Sequence, residues 1–581
     1  MRSNPFSSFD TSALAGAQRP EGGMSQVRGQ PSPPLVDWTI DTLLQRTALQ
    51  HAQRDAFVFL EHGVRWTWEQ FAKEVERLAA GLSSLGIACG DRVGIWSPNR
   101  PEWVLVQFAT ARIGAVLVNI NPAYRVAELA YALHKVRVKA LFTATGLKSS
   151  DYLGMLETLA PEIGHSAPGQ LQAARLPALR SIIQFGVRSR VGMFGFNEVQ
   201  EMGGPARSRF VAQLGATLSS HDPINIQFTS GTTGQPKGAL LTHHNVVNNA
   251  RFVADAMRLG ADDRLCVPVP LYHCFGMVLA VLACCSTGSC LVFPGESFDP
   301  AATLAAAANE RCTALHGVPT MFVAMLALPA FAQFDLRRLR TGIMAGSPCP
   351  IETMKRVISD MHMHEVTIAY GMTETSPVSF QSAITDSLAQ RVATVGRIQP
   401  HLEAKVVDED GEPVAPGRTG ELWVRGYSVM RGYWEDQALT REAVVDGWMR
   451  TGDLATLDAD GYCNIVGRLK DMLIRGGENI YPREIEEFLY RHPAVAEVQV
   501  FGVPDPRYGE EICAWIVPRQ GTRPDEEAIR SFCRGQIAHY KVPRYIRFVE
   551  ALPMTVTGKA QKFAMRQEMA RELHLHEAKT A

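Results

Sequence analysis

Short apolar runs alternate along much of the chain with segments whose apolar residues recur at helical spacing. Strand-like runs occupy residues 92–96, 115–120 and 140–143. Helical patterns begin at Pro101 and cover residues 126–133. Because the two patterns alternate, we predict an α/β fold in which helices cover parallel-rich sheets.

Two stretches depart from this alternation. Residues 149–204 are less regular, and we expect them to form loops on the surface. Residues 405–434 contain a turn signal at Asp408-Glu-Asp-Gly411 and a period-two pattern at residues 420–425. This second stretch therefore predicts a small β module.

The last hundred residues follow a different pattern, which is typical of a compact α+β domain. They contain two predicted helices, at 482–489 and 525–533, and two predicted strands, at 495–503 and 545–549. We place the boundary close to Lys470. The predicted units are a disordered tail at 1–35, an N-terminal domain at 36–469 and a C-terminal domain at 470–581.

The composition is that of a soluble globular protein. Of the 581 residues, 46% are hydrophobic and 20% are charged, and the formal net charge is −1. This charge balance predicts no nucleic-acid partner. The longest apolar run, near residues 277–285, has about half the length of a bilayer span. We therefore predict no integral membrane segment, and leave peripheral membrane contact and a dimer open.

The cysteines and the first residues bear on the compartment. There are 11 cysteines, an odd number without a C-x-x-C pair, which indicates reduced thiols in a cytoplasmic protein. Arg2, Arg19 and Arg28 leave the mitochondrial matrix as the alternative, although Asp10 and Glu21 interrupt the acid-poor character of a transit peptide.

The run Thr229-Ser-Gly-Thr-Thr-Gly-Gln-Pro-Lys-Gly238 follows a strand-like segment and is the strongest chemical signal. Its glycines allow close approach of the backbone, and its hydroxyls and N–H groups can donate to phosphate oxygens. Lys237 adds a point charge. The run does not fit the Walker A pattern, and a Gly/Ser/Thr surface turn is the plain alternative. The candidate residues are Thr229, Ser230, Gly231, Thr232, Thr233, Gly234, Lys237 and Gly238.

A second motif is Tyr370-Gly-Met-Thr-Glu-Thr375. The ring of Tyr370 can stack on a purine, the hydroxyl of Thr373 can bind a phosphate, and the carboxylate of Glu374 can hold Mg²⁺. A helix N-terminus capped by a threonine would be an equally good explanation of this motif by itself.

Three further motifs supply single charged candidates. Asp453, in Gly447-Trp-Met-Arg-Thr-Gly-Asp-Leu454, could accept two hydrogen bonds from a ribose, and Arg468 could support the same ribose or a phosphate. Lys559, in Leu552-Pro-Met-Thr-Val-Thr-Gly-Lys559, lies on a Gly-containing loop. Taken singly, these residues would be a turn aspartate, a surface arginine and a solvated lysine.

Together and in this order, the five motifs resemble the adenylate-forming superfamily of acyl-CoA synthetases, firefly-type luciferases and peptide-synthetase adenylation domains. The resemblance covers about residues 40–570. Asn99-Arg-Pro-Glu-Trp103 and Arg475-Gly-Gly-Glu-Asn-Ile-Tyr-Pro482 make the chain most similar to medium- or long-chain fatty-acyl-CoA synthetases. The resemblance implies a ligase that uses ATP, Mg²⁺ and coenzyme A to form a fatty acyl-CoA through an acyl-adenylate.

The resemblance also implies a role for each matching residue. The loop 229–238 would hold the β- and γ-phosphates, Tyr370 the adenine, Thr373 the α-phosphate, Glu374 the Mg²⁺, and Asp453 and Arg468 the ribose. Lys559 would reach the acid and the α-phosphate. Gly346 and Ser347 would lie beside adenine and the acyl group, and His273, Phe275, Gly276 and Val318 would line the acyl pocket. The C-terminal domain would be mobile about Lys470 and bring Arg475, Gly476 and Gly477 to the coenzyme A path.

Several alternatives remain at this point. An amino-acid-activating relative would need an acidic pocket residue, which residues 272–277 lack, whereas an aryl-activating relative stays open. A fatty-acyl-AMP ligase usually carries an insertion after the hinge, and here the hinge runs directly into residues 474–477. A nucleotide-binding regulator without catalysis is disfavoured by the intact motifs. Met554 stands where the family often has lysine, which leaves Lys559 in place.

Overall fold

The computed structural model describes residues 18–186, 189–229, 236–347, 349–475, 478–505, 507–555, 560–573 and 575. These residues form two large sheets that are mostly parallel, a six-stranded antiparallel sheet and a five-stranded C-terminal sheet. Helices pack against the two large sheets around one extended hydrophobic core. The predicted α/β architecture with parallel-rich sheets is therefore confirmed.

The first large sheet has eight strands, and it carries the candidate phosphate loop. Its parallel part continues from the edge to the strand Pro223–Thr229, which is followed by an antiparallel partner, Lys237–Thr242. The strand order is Phe194–Gly195, Ser181–Gln184, Ala140–Thr143, Arg92–Trp96, Val116–Ile120, Pro223–Thr229, Lys237–Thr242 and Gly432–Tyr433.

The second large sheet has nine strands and carries the Tyr370 motif at the end of one of them. Its interior strands are parallel, and the pairings at its two ends are antiparallel. The strand order is Arg397–Ile398, Val378–Gln381, Glu365–Gly371, Thr341–Ala345, Ala314–Leu315, Arg264–Cys266, Cys290–Phe293, Asp55–Phe59 and Val64–Thr67.

The antiparallel sheet includes the predicted β module and carries the candidate ribose ligands. It has its own core, which includes Val27, Leu422 and Leu457. Its strands are Gln26–Arg28, Leu402–Val407, Gly420–Gly426, Trp448–Leu457, Val444–Val445 and Cys463–Arg468.

The C-terminal sheet packs around separate hydrophobic clusters. Its longest pairing joins Val495–Asp505 to Gly509–Pro518 in antiparallel register. The remaining strands are Leu473–Arg475, Glu478–Ile480 and Tyr545–Phe548, and a short hairpin in the N-terminal part pairs Gly146–Leu147 with Ser150–Asp151.

Side-chain caps fix where several helices begin. Thr67 starts the helix Trp68–Ser84 with a capping box, in which its hydroxyl accepts from the N–H of Gln70 while the Gln70 amide oxygen accepts from the N–H of Thr67. The helices are Ile40–Gln50, Trp68–Ser84, Pro101–Arg112, Val126–Lys135, Tyr152–Leu159, Phe196–Glu201, Pro205–Gly215, His243–Ala256, Cys274–Gly276, Ala283–Thr287, Pro300–Asn309, Pro319–Leu326, Ile351–Ser359, Leu388–Ala393, Gln437–Ala443, Pro482–Leu489, Glu526–Cys533 and Lys562–Glu572.

Tighter and wider turns complete the helical content. A π-helical stretch, Met277–Leu282, joins Cys274–Gly276 to Ala283–Thr287 in one buried run. The short 3₁₀ turns are Glu21–Gly23, Pro161–His165, Phe331–Gln333, Thr373–Thr375, Leu469–Asp471 and His539–Lys541. In the described part of the chain, no helix combines the length and the apolar character that crossing a bilayer requires.

Two local expectations are wrong. The stretch 149–204 is not a set of surface loops, because Ser181–Gln184 is a buried strand of the eight-stranded sheet and Tyr152–Leu159 is a helix with a buried face. The tail 1–35 is not disordered throughout, since Gln26–Arg28 pairs with Leu402–Val407 and buries Val27 completely. The strands Gln26–Arg28 and Ser181–Gln184 are too short to show a clear sequence period, and their pairing with distant strands determines their structure.

Candidate active site

The candidate phosphate loop connects two paired strands. Thr229 and Lys237 face each other in register at the ends of Pro223–Thr229 and Lys237–Thr242. Gly238 follows, and a Cβ atom there would lie 3.0 Å from the Ile226 side chain. The predicted loop residues Ser230, Gly231, Thr232, Thr233 and Gly234 lie outside the described residues. The structure therefore locates both ends of the loop at one end of a β-hairpin.

Glu374 lies beside the start of this loop. Its carboxylate oxygen Oε1 accepts a hydrogen bond from the Thr229 hydroxyl at 3.0 Å and another from the Tyr433 hydroxyl at 2.9 Å. Its backbone carbonyl accepts from the N–H of Met430. Glu374 and Thr373 are both buried in the turn Thr373–Thr375. The motif that follows Tyr370 thus delivers a buried carboxylate to the end of the phosphate-loop hairpin.

The positive charges described near Glu374 act at longer range, and Arg468 is one of them. In the ranges that the structure describes, no lysine, arginine or histidine forms an ion pair with it, and both side-chain donors are neutral hydroxyls. The ammonium group of Lys237 instead lies 5.4 Å from the centre of the Tyr433 ring. Since a buried carboxylate without a cation is costly, this arrangement suits a bound cation.

Asp453 forms a second carboxylate centre. The Tyr370 hydroxyl donates to its Oδ2 at 2.6 Å, and the guanidinium of Arg468 lies 3.1 Å from its Oδ1. Asp453 and Arg468 face each other in register on the strands Trp448–Leu457 and Cys463–Arg468. The motifs that sequence analysis singled out separately therefore meet in one cluster of Tyr370, Asp453 and Arg468.

The charges of this cluster stabilise one another. Burial raises the pKa of the Tyr370 phenol well above its usual value, and the adjacent Asp453 charge raises it further. Burial opposes the charged form of Arg468, but Asp453 raises the pKa of this guanidinium. Tyr370 is thus a neutral donor to Asp453, while its predicted stacking on adenine stays a prediction.

A model of the AMP-binding enzyme family matches residues 44–434, more than half of the chain. The chain belongs to the AMP-binding enzyme family. A model of the AMP-binding enzyme C-terminal domain matches residues 484–559. This match confirms the resemblance to adenylate-forming enzymes that the motifs indicated.

Named relatives cover nearly the whole AMP-binding enzyme. The putative acyl-CoA synthetase YngI of Bacillus subtilis (strain 168) is 48% identical over 536 residues, which are 92% of this chain and 97% of the relative. The human protein described as medium-chain acyl-CoA ligase ACSF2, mitochondrial, is 44% identical over 563 residues, 96% of this chain and 91% of the relative.

Solved structures agree with the fold. The anthranilate CoA ligase AuaEII in complex with anthranoyl-AMP superposes with a TM-score of 0.80 at 27% identity, covering 93% of this chain and 99% of that one. ATP-bound MatB from Rhodopseudomonas palustris gives a TM-score of 0.79 at 28% identity, covering 92% and 99%.

The predicted acyl-pocket residues of this AMP-binding enzyme lie at the start of the buried helical run. His273 caps the turn Cys274–Gly276, and its Nδ1 accepts from the N–H of Phe275 at 3.2 Å. Only glycine fits at position 276, because a Cβ atom there would lie 2.4 Å from the Pro270 carbonyl oxygen. The ring of Phe275 lies 5.4 Å from that of His316.

Val318 faces the predicted adenine loop. Gly346 has a positive φ of 95°, a conformation that favours glycine, and a Cβ atom there would lie 3.2 Å from the Val318 side chain. Ser347 follows in an exposed position. The predicted acyl-pocket residue Val318 therefore lies next to the predicted adenine-loop residue Gly346.

The predicted hinge and coenzyme A residues lie on the C-terminal side. Lys470 belongs to the turn Leu469–Asp471, where partial burial lowers the pKa of its ammonium group and the neighbouring Arg468 lowers it further. Arg475 donates two hydrogen bonds to the buried carboxylate of Glu511, at 2.8 and 2.9 Å. Gly476, Gly477 and Lys559 lie outside the described residues.

Sequence reasoning missed three residues that contact the candidate residues or their neighbours in the chain. Tyr433 holds Glu374, as described above. The imidazole of His316 accepts from the N–H of Ile343 and bonds the carbonyl of Leu279, and burial lowers its pKa to about 4. Gln227 accepts from the thiol of Cys274 at 3.2 Å. No local spacing signals these residues, because each partner comes from a distant part of the chain.

Proposed function

We propose that this AMP-binding enzyme is an acyl-CoA synthetase that activates a fatty acid with ATP and transfers the acyl group to coenzyme A. The observation that carries the proposal is the convergence of Glu374 with Thr229, at the start of the phosphate loop, and with Tyr433. Relatives at 48% and 44% identity that are named as an acyl-CoA synthetase and an acyl-CoA ligase support it.

Medium-chain acids are the proposed substrate class. The human and zebrafish relatives are both named medium-chain acyl-CoA ligases, and each aligns over at least 95% of this chain. The apolar surroundings of Phe275 and the helical run behind it suit an alkyl chain. Long-chain acids are the alternative substrate class, and rates with acids of different chain length distinguish the two.

In the first half-reaction, a carboxylate oxygen of the fatty acid attacks the α-phosphorus of ATP. A P–O bond forms, the bond to the β-phosphate oxygen breaks, and pyrophosphate leaves. The acid and the phosphate are both anions, so their approach must be electrostatically assisted. We assign this assistance to Lys559 and Lys237, with Thr373 and the donors of the loop 229–238 orienting the phosphates.

Glu374 is the proposed ligand for Mg²⁺. The fit rests on a buried carboxylate that receives only neutral hydroxyl donors in the described part of the chain. Carboxylate oxygens are ligands that Mg²⁺ prefers, and the ion usually shares them with substrate phosphates. When bound, Mg²⁺ supplies neutralisation of phosphate charge.

Asp453 and Arg468 are assigned to the ribose. The carboxylate of Asp453 has lone pairs beyond those used by Tyr370 and Arg468, and these can accept hydroxyl donors. Because Arg468 compensates its charge, Asp453 can bind a neutral diol without a metal. Tyr370, Gly346 and Ser347 are assigned to the adenine side of the nucleotide.

In the second half-reaction, the thiol of coenzyme A attacks the carbonyl carbon of the acyl-adenylate. A C–S bond forms, the C–O bond to AMP breaks, and the thiol proton is released. We propose that the C-terminal domain turns about Lys470 between the two steps, which exchanges Lys559 for the surface of Arg475, Gly476 and Gly477. The ion pair with Glu511 would keep Arg475 in one orientation.

The cytoplasmic location stays a prediction, with the mitochondrial matrix as the alternative. The names of the animal relatives include the word mitochondrial and so favour that organelle. The dimer and peripheral membrane contact likewise stay predictions. None of them alters the residues assigned to the two half-reactions.

Product analysis tests the function. The protein is mixed with Mg-ATP, coenzyme A and one straight-chain acid from acetate to palmitate, with benzoate and anthranilate as aryl controls, and products are identified by mass spectrometry. We expect AMP, pyrophosphate and acyl-CoA together, with the highest rate for a medium-chain acid such as octanoate. Accumulation of acyl-AMP without thioester would contradict the acceptor, and a preference for an aryl acid would contradict the substrate class.

A further inference from the structure

Two histidines and an aspartate form a cluster on the surface. Nε2 of His221 and Nε2 of His244 lie 3.7 and 3.8 Å from Oδ1 of Asp37. The two imidazole rings are 4.6 Å apart, and one ligand atom from each of the three residues lies within 4.8 Å of the others. None of these residues has a role in the proposed reaction.

The cluster lies at the open end of the hairpin that carries the phosphate loop. His221 precedes the strand Pro223–Thr229 by two residues, and His244 follows the strand Lys237–Thr242 by two residues. Pro223 and Thr242 pair in register, which brings the two imidazoles together across the hairpin. The N–H of His244 also donates to the carbonyl of Ser220 at 2.7 Å, so the backbone fixes this juxtaposition.

Asp37 comes from the segment that precedes the first helix. The backbone of this segment is anchored on both sides of Asp37, since the N–H of Val36 donates to Asn248 at 2.9 Å and the N–H of Ile40 donates to His243 at 3.0 Å. The carboxylate itself is 81% exposed. Three separate chain segments therefore meet at the cluster, each held by its own backbone contacts.

The donor set determines which ligand fits. Two imidazole nitrogens and one carboxylate oxygen match a Zn²⁺ site with three protein ligands and one open position. With bonds of about 2.0–2.2 Å, tetrahedral ligand atoms lie roughly 3.3–3.6 Å apart. The two distances from the histidines to Asp37 exceed this by a few tenths of an ångström, and the ligand atoms of the two histidines lie within 4.8 Å of each other. Asp37 and His221 are exposed and can rotate by the small amount needed, while His244 is only 12% exposed and anchors the site.

We propose that Asp37, His221 and His244 bind Zn²⁺ and that the ion braces the base of the phosphate-loop hairpin. The site is distinct from Glu374, because the seven-residue strand between the two ends spans about 20 Å. The ion would join the segment before the first helix to both strands of the hairpin. It would act as a structural tie and take no part in adenylation.

Calorimetric titration of the full chain tests this site. The protein is first treated with a chelator and exchanged into buffer with excess Mg²⁺, which occupies oxygen-ligand sites, and is then titrated with ZnCl₂. We expect one Zn²⁺ per chain in the wild type, and affinity lowered by at least about tenfold in Asp37→Asn and His221→Ala. His165→Ala, which removes an exposed histidine elsewhere, is the matched control and should leave the affinity unchanged.

Two further measurements keep the proposal falsifiable. Zn²⁺ should raise the melting temperature of the wild type and not that of His221→Ala, because only a folded site binds the ion. Co²⁺ in place of Zn²⁺ should give tetrahedral absorption without a thiolate band. The proposal is overturned if no stoichiometric Zn²⁺ binds, or if binding persists at wild-type affinity in His221→Ala. Loss of that binding in Cys89→Ser would then place the ion on the exposed thiol of Cys89. Neither readout depends on acyl-CoA synthesis.

Discussion

The carboxylates of Glu374 and Asp453 are buried to a similar degree but differ in the charge of the groups that contact them. Glu374 is 5% exposed and Asp453 is 7% exposed. Glu374 accepts from the neutral hydroxyls of Thr229 and Tyr433, whereas Asp453 pairs with the cation Arg468. Within the part of the chain that the structure describes, therefore, only Asp453 has a cation in direct contact with its carboxylate.

This contrast divides the work of nucleotide binding between the two sites. A buried anion that lacks a cation favours binding of a metal ion, since the ion supplies the missing charge. A buried anion that is already paired with arginine can instead offer its free lone pairs to neutral hydroxyl groups. The account therefore assigns Mg²⁺ to Glu374 and the ribose to Asp453, and substitutions at the two centres should have different kinetic signatures.

The largest effect is expected for Glu374→Gln. The change keeps the shape and removes the charge that the metal requires, so kcat/KM should fall by roughly 10²–10³-fold, which corresponds to the several kcal/mol that a metal ion contributes. Pyrophosphate release with octanoate measures this fall. If Glu374→Gln keeps both its melting temperature and its activity, Glu374 is not the Mg²⁺ ligand.

Asp453→Asn should raise the KM for ATP by about 10–100-fold, because hydrogen bonds to a charged group are worth about 1.5–3 kcal/mol. The effect on kcat should be smaller. Initial rates at varied ATP measure both constants. Asp410→Asn, which alters an exposed turn of the same sheet, is the matched control, and an unchanged KM in Asp453→Asn would refute the ribose assignment.

Tyr433→Phe removes one of the two hydroxyl donors that orient Glu374. We expect the Mg²⁺ concentration for half-maximal rate to rise by roughly threefold to tenfold. The lost hydrogen bond orients Glu374 and does not itself contact the ion, so only part of its free energy is lost from metal binding. Tyr462→Phe loses a comparable hydrogen bond, to Asp386 at 2.7 Å and away from the site, and should leave Mg²⁺ dependence unchanged. Equal Mg²⁺ curves for both variants would show that Tyr433 does not position the metal ligand.

The smallest effect is expected for Tyr370→Phe. The ring that could stack on adenine stays, and Arg468 still pairs with Asp453, so the KM for ATP should rise only by about threefold. Kinetics at varied ATP measure this change. If kcat fell more steeply than the KM rose, the Tyr370 hydroxyl would be acting in the chemical step and not in positioning Asp453.

The candidate residues that the sequence singled out stand in local motifs. Thr229, Glu374, Asp453 and Arg468 each stand in a run with a characteristic order, and the structure brings them together in two pairs. Their roles stay predictions that the variants above test. The α/β class also followed from the alternation of strand and helix patterns, and the observed sheets and the similar solved structures confirm it.

The remaining features depend on pairings between distant parts of the chain. Tyr433 meets Glu374 across 59 positions, and no local spacing encodes that contact. The strands Gln26–Arg28 and Ser181–Gln184 are too short for a periodic pattern, and their partners in the sheets determine them. The cluster of Asp37, His221 and His244 could not be predicted from the sequence for the same reason, because the pairing of the hairpin strands brings the two histidines together.

The most direct test of the division between Glu374 and Asp453 is to measure octanoate activation by Glu374→Gln and Asp453→Asn side by side while Mg²⁺ and ATP are varied independently. We predict that raising the Mg²⁺ concentration reduces the loss of rate in Glu374→Gln. Raising the ATP concentration at fixed free Mg²⁺ should restore the rate of Asp453→Asn only. The reverse pattern, or the same response in both variants, would contradict it.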